Sequence, residues 1–449
     1  MDAGEDITMV QQFDEAALGE AVSKAEERYE GRNPRSRARW EAACDHLPGG
    51  NTRSVLYCDP FPLTFVRGEG ATLWDADGNQ YRDFLNEYGA GIYGHSDPVI
   101  DEAIRTTLAE GIALGGLNLH EAELARLIRE RFPSCDQVRF CNSATEANLY
   151  ALSLARIATG RPEIMVFDGG YHGGNLAFTA RENPMNVPYT YRYGTYNDIE
   201  ATLGEMRRSS DALAAVIVEP MMAGGGGIPA EAAFLHALRD EATRLGVILI
   251  LDEAMTSRMS PGGLQAYHGI TPDMTTFGKY LGGGLASGVF GGRADIMRLI
   301  DSRNPKAVAH AGTFNNNVLA MAAGAAGMRE VFTADAARIL HERGDRLRKG
   351  LTEAGERSAV PVQVTGIGSL MAIHLQSGSI RCPGDVQMPD AARKLLQLEL
   401  ANRGFHIARR GYLTLSLPVS DDDCRVLVDA FEDVLTLFEP IYARSAVIA

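Results

Sequence analysis

The chain has 449 residues, 45% of them hydrophobic and 22% charged, which is the balance of a globular protein of two or three structural units and excludes disorder as its main state. Lys and Arg number 43 against 58 Asp and Glu, a net charge of −15, and a surface that acidic repels nucleic-acid phosphates and anionic lipid heads. Six scattered cysteines with no CxxC pair, no basic-apolar leader and no apolar run of membrane length predict free thiols, no bound metal and a cytoplasmic address.

Residues 1 to about 45 carry an amphipathic helical pattern that stops at Pro48-Gly49-Gly50. Three β-rich runs follow, 62–67, 72–74 and 81–85, split by glycine turns at 68–70 and 75–78, and they predict a small antiparallel meander. From Pro98 to about Pro305 short apolar runs alternate with helix-period stretches. The runs are 138–140, 164–167, 215–218, 247–251, 274–277 and 288–290, and 146–159 and 230–245 are among the helical stretches between them. That rhythm predicts an α/β fold with a mostly parallel sheet covered by helices, which binds ligands at the carboxyl ends of its strands. Gly224 to Gly227 reads as a loop; from about Leu319 the chain is helical again, with strands in 362–375 and 412–417. Three segments are expected: 1–95 as N-terminal helix and small antiparallel piece, 96–318 as the large α/β unit, and 319–449 as a smaller α+β unit.

Only five of the 43 basic residues are lysines, and Lys24, Lys306, Lys349 and Lys394 read as surface residues. Lys279 instead follows the apolar run Met274–Phe277. An amine at the end of a core strand loses its proton readily, as Schiff-base chemistry requires, although taken alone it reads sooner as a lysine reaching out of the core. Asp252-Glu253 ends the most apolar strand, where a carboxylate needs a partner; a protonated pyridine nitrogen is one, and a helix cap is the plainer alternative. Asn142-Ser-Ala-Thr-Glu146 opens a helix with the Ser-x-x-Glu capping pattern, and the same N-terminus can hold a phosphate on backbone N–H groups. Gly169-Gly-Tyr-His-Gly-Gly174 offers an aromatic face on which a flat heterocycle can stack. Walker A and dinucleotide spacings fail, since position 273 is Asp and position 287 is Ser.

Together these segments resemble the fold-type I pyridoxal-phosphate enzymes, and within them the class III aminotransferases and the glutamate-1-semialdehyde aminomutase-like proteins. The resemblance runs from Pro48-Gly-Gly-Asn-Thr-Arg53 through Gly94-His95, Asn142–Asn148, Tyr171-His-Gly173, Val218-Glu-Pro220, Asp252–Arg258, Gly278-Lys279 and Gly282–Gly284 to Gly312–Asn317. It is strongest to the β-amino-acid (β-phenylalanine) aminotransferases, through 48–56 and 410–417. It implies a seven-stranded large-domain sheet, bound pyridoxal 5'-phosphate and a homodimer with shared active sites. By position it implies that Lys279 bonds the cofactor aldehyde and Asp252 pairs with the pyridinium nitrogen. Ser143, Ala144 and Thr145 hold the phosphate, Tyr171 stacks on the ring, Glu219 and Met255 lie near it, and Thr313 reaches the phosphate of the neighbouring subunit. The family usually carries glycine where this chain has Ala144.

The implied reaction moves the amino group of a β-amino acid, aromatic or aliphatic, to a keto acid such as 2-oxoglutarate or pyruvate. Arg53 would bind the donor carboxylate and Arg410 the acceptor carboxylate, with Arg409 an alternative to Arg410, because a carboxylate is best held by a planar two-pronged donor. Glutamate-1-semialdehyde 2,1-aminomutation and another class III ω-aminotransferase activity are the alternative chemistries, and a non-catalytic relative is the alternative class.

Overall fold

The computed structural model describes residues 12–443. Its central sheet has seven strands: β1 (Gln137–Cys141), β2 (Glu163–Phe167), β3 (Thr190–Gly194), β4 (Leu213–Val218), β5 (Ile248–Asp252), β6 (Met274–Gly278) and β7 (Gly288–Gly292). They lie in the order β1-β7-β6-β5-β4-β2-β3, and β7 alone runs against its neighbours. Every residue of β2, β4, β5 and β6 is buried, since helices cover both faces, which is why these strands read as continuous apolar runs. The six apolar runs of the sequence are β1, β2, β4, β5, β6 and β7.

The seventh strand, β3, has no such run. Its sequence Thr-Tyr-Arg-Tyr-Gly pairs only with β2 at the sheet edge, and Arg192 reaches Glu163 at 2.7 Å. An edge strand is half solvated, so its composition is amphipathic rather than apolar.

The single helix expected up to residue 45 is two, Glu15–Arg32 and Pro34–Cys44, and residues 1–11 of that expectation lie outside the described residues. Pro34 disfavours helical geometry at Asn33, which sits at φ −126°, ψ 42°. The first helix packs against Asp390–Asn402, where Arg28 pairs with Glu399 and Asn402 Nδ2 donates to the Ala25 carbonyl at 3.0 Å. Lys394 belongs to this contact and is not a surface residue: its side chain is 16% exposed and bonds Glu26 at 2.5 Å.

The meander forms as expected, from Phe65–Glu69, Thr72–Asp75 and Gln80–Asp83, and Phe405–His406 joins it in parallel. A second antiparallel sheet comprises Gln363–Ile367, Leu370–His374 and Tyr412–Thr414, the last shorter than its sequence pattern suggested. Gln12–Phe13 pairs with Tyr442–Ala443, so the first and last described residues meet. Among the described residues no helix is long and apolar enough to cross a membrane.

Candidate active site

Asp252 ends β5 and Lys279 follows β6, so the two neighbouring parallel strands deliver an acid and an amine to the same sheet edge. Asp252 is 4% exposed, and three N–H donors converge on it. Ala254 N reaches Oδ1 at 3.0 Å, while Asn148 Nδ2 and His172 Nδ1 each reach Oδ2 at 2.8 Å. Asn148 is itself fixed, because its Oδ1 accepts from Thr276 Oγ1 at 2.5 Å and its Nδ2 also donates to the His172 carbonyl at 2.9 Å. Burial pulls the His172 imidazole down, but the hydrogen bond and charge of Asp252 outweigh it and hold its pKa above the usual value.

The cap at this strand end belongs to Glu253, which accepts from Leu264 N at 2.9 Å and Gln265 N at 2.8 Å. Burial raises its carboxyl to about 6. Adjacent residues thus divide two roles, Glu253 tying down the next helix and Asp252 facing the strand edge.

Lys279 sits at φ +58°, a left-handed backbone that a non-glycine residue adopts at a cost of about 1–2 kcal/mol. Its amine makes no hydrogen bond or ion pair among the described residues. Burial lowers its pKa to about 8, partly opposed by the charges of Asp252 and Glu87. It is therefore an amine that gives up its proton near neutrality.

Gly278 brings the helix Ala144–Thr159 against this lysine: a Cβ there would lie 3.3 Å from Ala144 N. Ser143 caps the helix by accepting from Glu146 N at 3.2 Å. The Glu146 carboxylate bonds Asn142 N at 3.0 Å rather than Ser143 N, so the expected capping box is displaced by one residue. The first N–H groups, those of Ala144 and Thr145, have no acceptor within the helix. Gly173, at φ +127°, closes on the same terminus, and a Cβ there would stand 2.2 Å from Thr145 Oγ1.

The Gly169–Gly174 loop carries Tyr171, whose ring is half exposed and whose N–H donates to Glu219 Oε1 at 2.9 Å. Glu219 Oε2 accepts from Ala223 N at 3.2 Å, so this buried carboxyl joins two loops above the strand ends. Burial, reinforced by Asp252, raises it to about 7. Met255 is half-buried and lies near Gly89.

Arg53 pairs with Glu87 at 2.6 Å. Arg410 is exposed and donates to the Gly224 carbonyl at 2.9 Å, and both arginines act electrostatically on Tyr88. Arg409 is engaged elsewhere, bonding Asp59 at 3.2 Å and Asp390 at 2.6 Å. Thr313 is exposed, in a loop tied to Asn142 through Asn142 Nδ2 to Asn315 Oδ1 at 3.2 Å, and to residues 116–118 through Asn118 Nδ2 to the Asn316 carbonyl at 2.9 Å and Asn316 Nδ2 to the Gly116 carbonyl at 3.0 Å.

The sequence profile of the class-III aminotransferases matches residues 57–435. The chain belongs to the class III aminotransferases. It is 49% identical over 409 residues to the β-phenylalanine transaminase of Variovorax paradoxus, covering 91% of this chain and 94% of that one. It is 38% identical over 372 residues to a glutamate-1-semialdehyde 2,1-aminomutase of Chloroflexus aggregans, covering 78% and 83%. Among solved structures, the β-phenylalanine aminotransferase of V. paradoxus superposes with TM-score 0.92 at 48% identity, covering 93% of this chain and 97% of the other. An ω-transaminase of Sphaerobacter thermophilus gives 0.85 at 38% identity, covering 90% and 97%.

Class III aminotransferases depend on pyridoxal phosphate, and the donor set here fits that group. Lys279 has an amine of lowered pKa that could meet the aldehyde, Asp252 a buried carboxylate that could pair with the ring nitrogen, and the Ala144 and Thr145 N–H groups with the Ser143 and Thr145 hydroxyls could hold the phosphate. Sequence reasoning gave no role to Asn148, His172 or Glu87. The first two lie inside recognised segments, but their convergence on Asp252 joins residues 80 and 104 positions away, which no local pattern reveals.

Proposed function

We propose that this class III aminotransferase takes its amino group from a β-amino acid with an apolar side chain, aromatic or aliphatic, and passes it to a keto acid such as 2-oxoglutarate or pyruvate. The observation that carries this reading is the pair of arginines, Arg53 and Arg410, whose charges both act on Tyr88, with Arg53 acting also on the Lys279 amine. A guanidinium is the group that binds carboxylates best, and two of them suit a donor and an acceptor that both carry one. The likeness to the V. paradoxus β-phenylalanine transaminase supports the donor class. With Arg409 bonded to Asp59 and Asp390, Arg410 is the arginine free to meet the acceptor.

When bound, pyridoxal phosphate supplies the carbonyl that receives the amino group and a ring that withdraws electrons from the substrate carbon. Asp252, fixed by Asn148 and His172, would pair with the ring nitrogen and favour its protonated form. Lys279 Nζ, with its pKa lowered by burial, would serve as the base that moves the proton of the substrate carbon. Ser143, Ala144 and Thr145 would anchor the phosphate, and Tyr171 and Met255 would lie near the ring.

The reading includes a homodimer. Leu117 is 90% exposed, Leu119 87% and Phe314 67%, and hydrogen bonds join their two loops into one apolar patch beside Thr313. A patch of this kind supports a subunit contact through which Thr313 reaches the neighbouring phosphate. Six free cysteines suit a reducing cytoplasm.

The deciding experiment follows the visible absorbance of the holoenzyme on adding a β-aryl-β-amino acid or L-glutamate. Bleaching by the β-amino acid supports the proposal, and a response to glutamate alone removes the β-specific part. Turnover of glutamate-1-semialdehyde without any keto acid would point to the aminomutase.

A further inference from the structure

Arg53 is already paired: its Nη1 lies 2.6 Å from Glu87 Oε1. Glu87 occupies an unusual backbone. Asn86, Glu87, Tyr88 and Gly89 have φ of 48°, 51°, 54° and 89°, four consecutive residues in the left-handed region, of which glutamate and tyrosine are poor occupants.

The turn persists because its surroundings fix it. Asn86 N donates to Asp83 Oδ1 at 2.9 Å, and Asn86 Nδ2 donates to the Thr414 carbonyl at 2.6 Å and the Asp83 carbonyl at 3.0 Å. The buried Arg258, on the loop after β5, donates to the Leu415 carbonyl and reaches the Gly89 carbonyl at 3.5 Å. Strain held this firmly beside reacting groups has a functional use. Here it aims a carboxylate at the arginine near Lys279, whose amine feels both charges.

The two arginines therefore differ. Among the described residues Arg410 bonds the Gly224 carbonyl and forms no ion pair with a carboxylate, whereas Arg53 is compensated by Glu87. We propose that Glu87 sets substrate specificity through Arg53: its carboxylate occupies the guanidinium, and a substrate carboxylate gains Arg53 only by exchanging with it. An amine without a carboxylate leaves the pair intact, so no uncompensated guanidinium confronts its apolar group. Glu87 thus weakens the binding of carboxylate donors and permits simple amines.

The inference rests on the β-amino-acid reading, and the test separates the two. Holoenzyme with Glu87→Gln, or Glu87→Asn to suit the left-handed backbone, is assayed with β-phenylalanine and with 1-phenylethylamine, which lacks the carboxylate. The expected result is a KM for β-phenylalanine lowered about two- to five-fold, the range of an exposed ion pair, with kcat/KM for 1-phenylethylamine lowered. In an Arg53→Met background the same change has no effect on β-phenylalanine. A raised KM for β-phenylalanine, equal changes for both amines, or an effect that survives without Arg53 overturns the proposal.

Wild-type holoenzyme that ignores β-phenylalanine overturns the donor assignment instead. Inhibition by 3-phenylpropionate against whichever amine is accepted then reads Glu87: tighter inhibition in Glu87→Gln supports the exchange, and weaker or unaltered inhibition refutes it.

Discussion

His172 donates from Nδ1 to Oδ2 of Asp252 at 2.8 Å, with the two side chains 1% and 4% exposed. The buried acid at the end of β5 is thus gripped by an imidazole on a different loop. His172→Phe removes one donor from a buried carboxylate, a change of about 1–3 kcal/mol. The cofactor Kd is expected to rise on the order of ten- to a hundred-fold, measured by fluorescence titration of apoenzyme, with kcat falling alongside. A Kd within two-fold of wild type would show that Asn148 and Ala254 suffice.

The lowered pKa of Lys279 makes a pH prediction. Burial disfavours the ammonium form, so its value stands at about 8 and the nucleophilic free amine grows as pH rises through that point. Apoenzyme mixed with pyridoxal phosphate should develop its visible band faster as pH rises, with the rate levelling above about 8. A rate still climbing steeply near the ordinary lysine value of about 10.4 would contradict this. Lys279→Ala should still bind the cofactor and lose turnover by at least about 10²–10⁴-fold, the range of a removed general acid–base group.

Gly173→Ala tests the phosphate end. The new Cβ would stand 2.2 Å from Thr145 Oγ1 at a backbone φ of +127°, so either the Tyr171 loop or the helix start must move. Displacing a packed backbone costs about 1–3 kcal/mol. The cofactor Kd should rise, and inorganic phosphate should compete less well with the cofactor in the variant than in wild type. Gly174→Ala, where nothing lies within 4 Å of the added carbon, is the matched control.

What the sequence made legible follows from where each signal lives. The core strands β2, β4, β5 and β6 are buried on both faces and are written as apolar runs, and Lys279 and Asp252 stand out because a charge directly after such a run is rare. Strand β3 escaped because an edge strand needs no such run. The break at Asn33 was written in Pro34, which the amphipathic pattern overrode. Lys394 lay among charges and read as exposed, yet its partner Glu26 comes from the opposite end of the chain. Glu87 was invisible for a related reason: its placement depends on a left-handed turn fixed by Asp83, Thr414 and Arg258, and on an arginine 34 positions earlier.

The arginines give the last prediction. Arg53, Arg409 and Arg410 share a charge but not surroundings, so their alanine variants should fail differently. A charged hydrogen bond to a carboxylate contributes about 1.5–3 kcal/mol. Arg53→Ala should therefore raise KM for β-amino acids roughly ten- to a hundred-fold and for simple amines far less, since these carry no carboxylate for Arg53 to bind and meet only the change at Glu87. Arg410→Ala should raise KM for a dicarboxylate acceptor far more than for pyruvate, because its removal breaks only a bond to the Gly224 carbonyl. Arg409→Ala removes the partner of Asp390 and one partner of Asp59, which keeps Tyr57 and Lys394, and should lower the melting temperature while leaving the ratio of the two acceptors unchanged. Steady-state kinetics with both acceptors, beside thermal unfolding of each holoenzyme, separates the three. An Arg409 variant that alters acceptor preference while Arg410→Ala does not would exchange the roles assigned to the two residues.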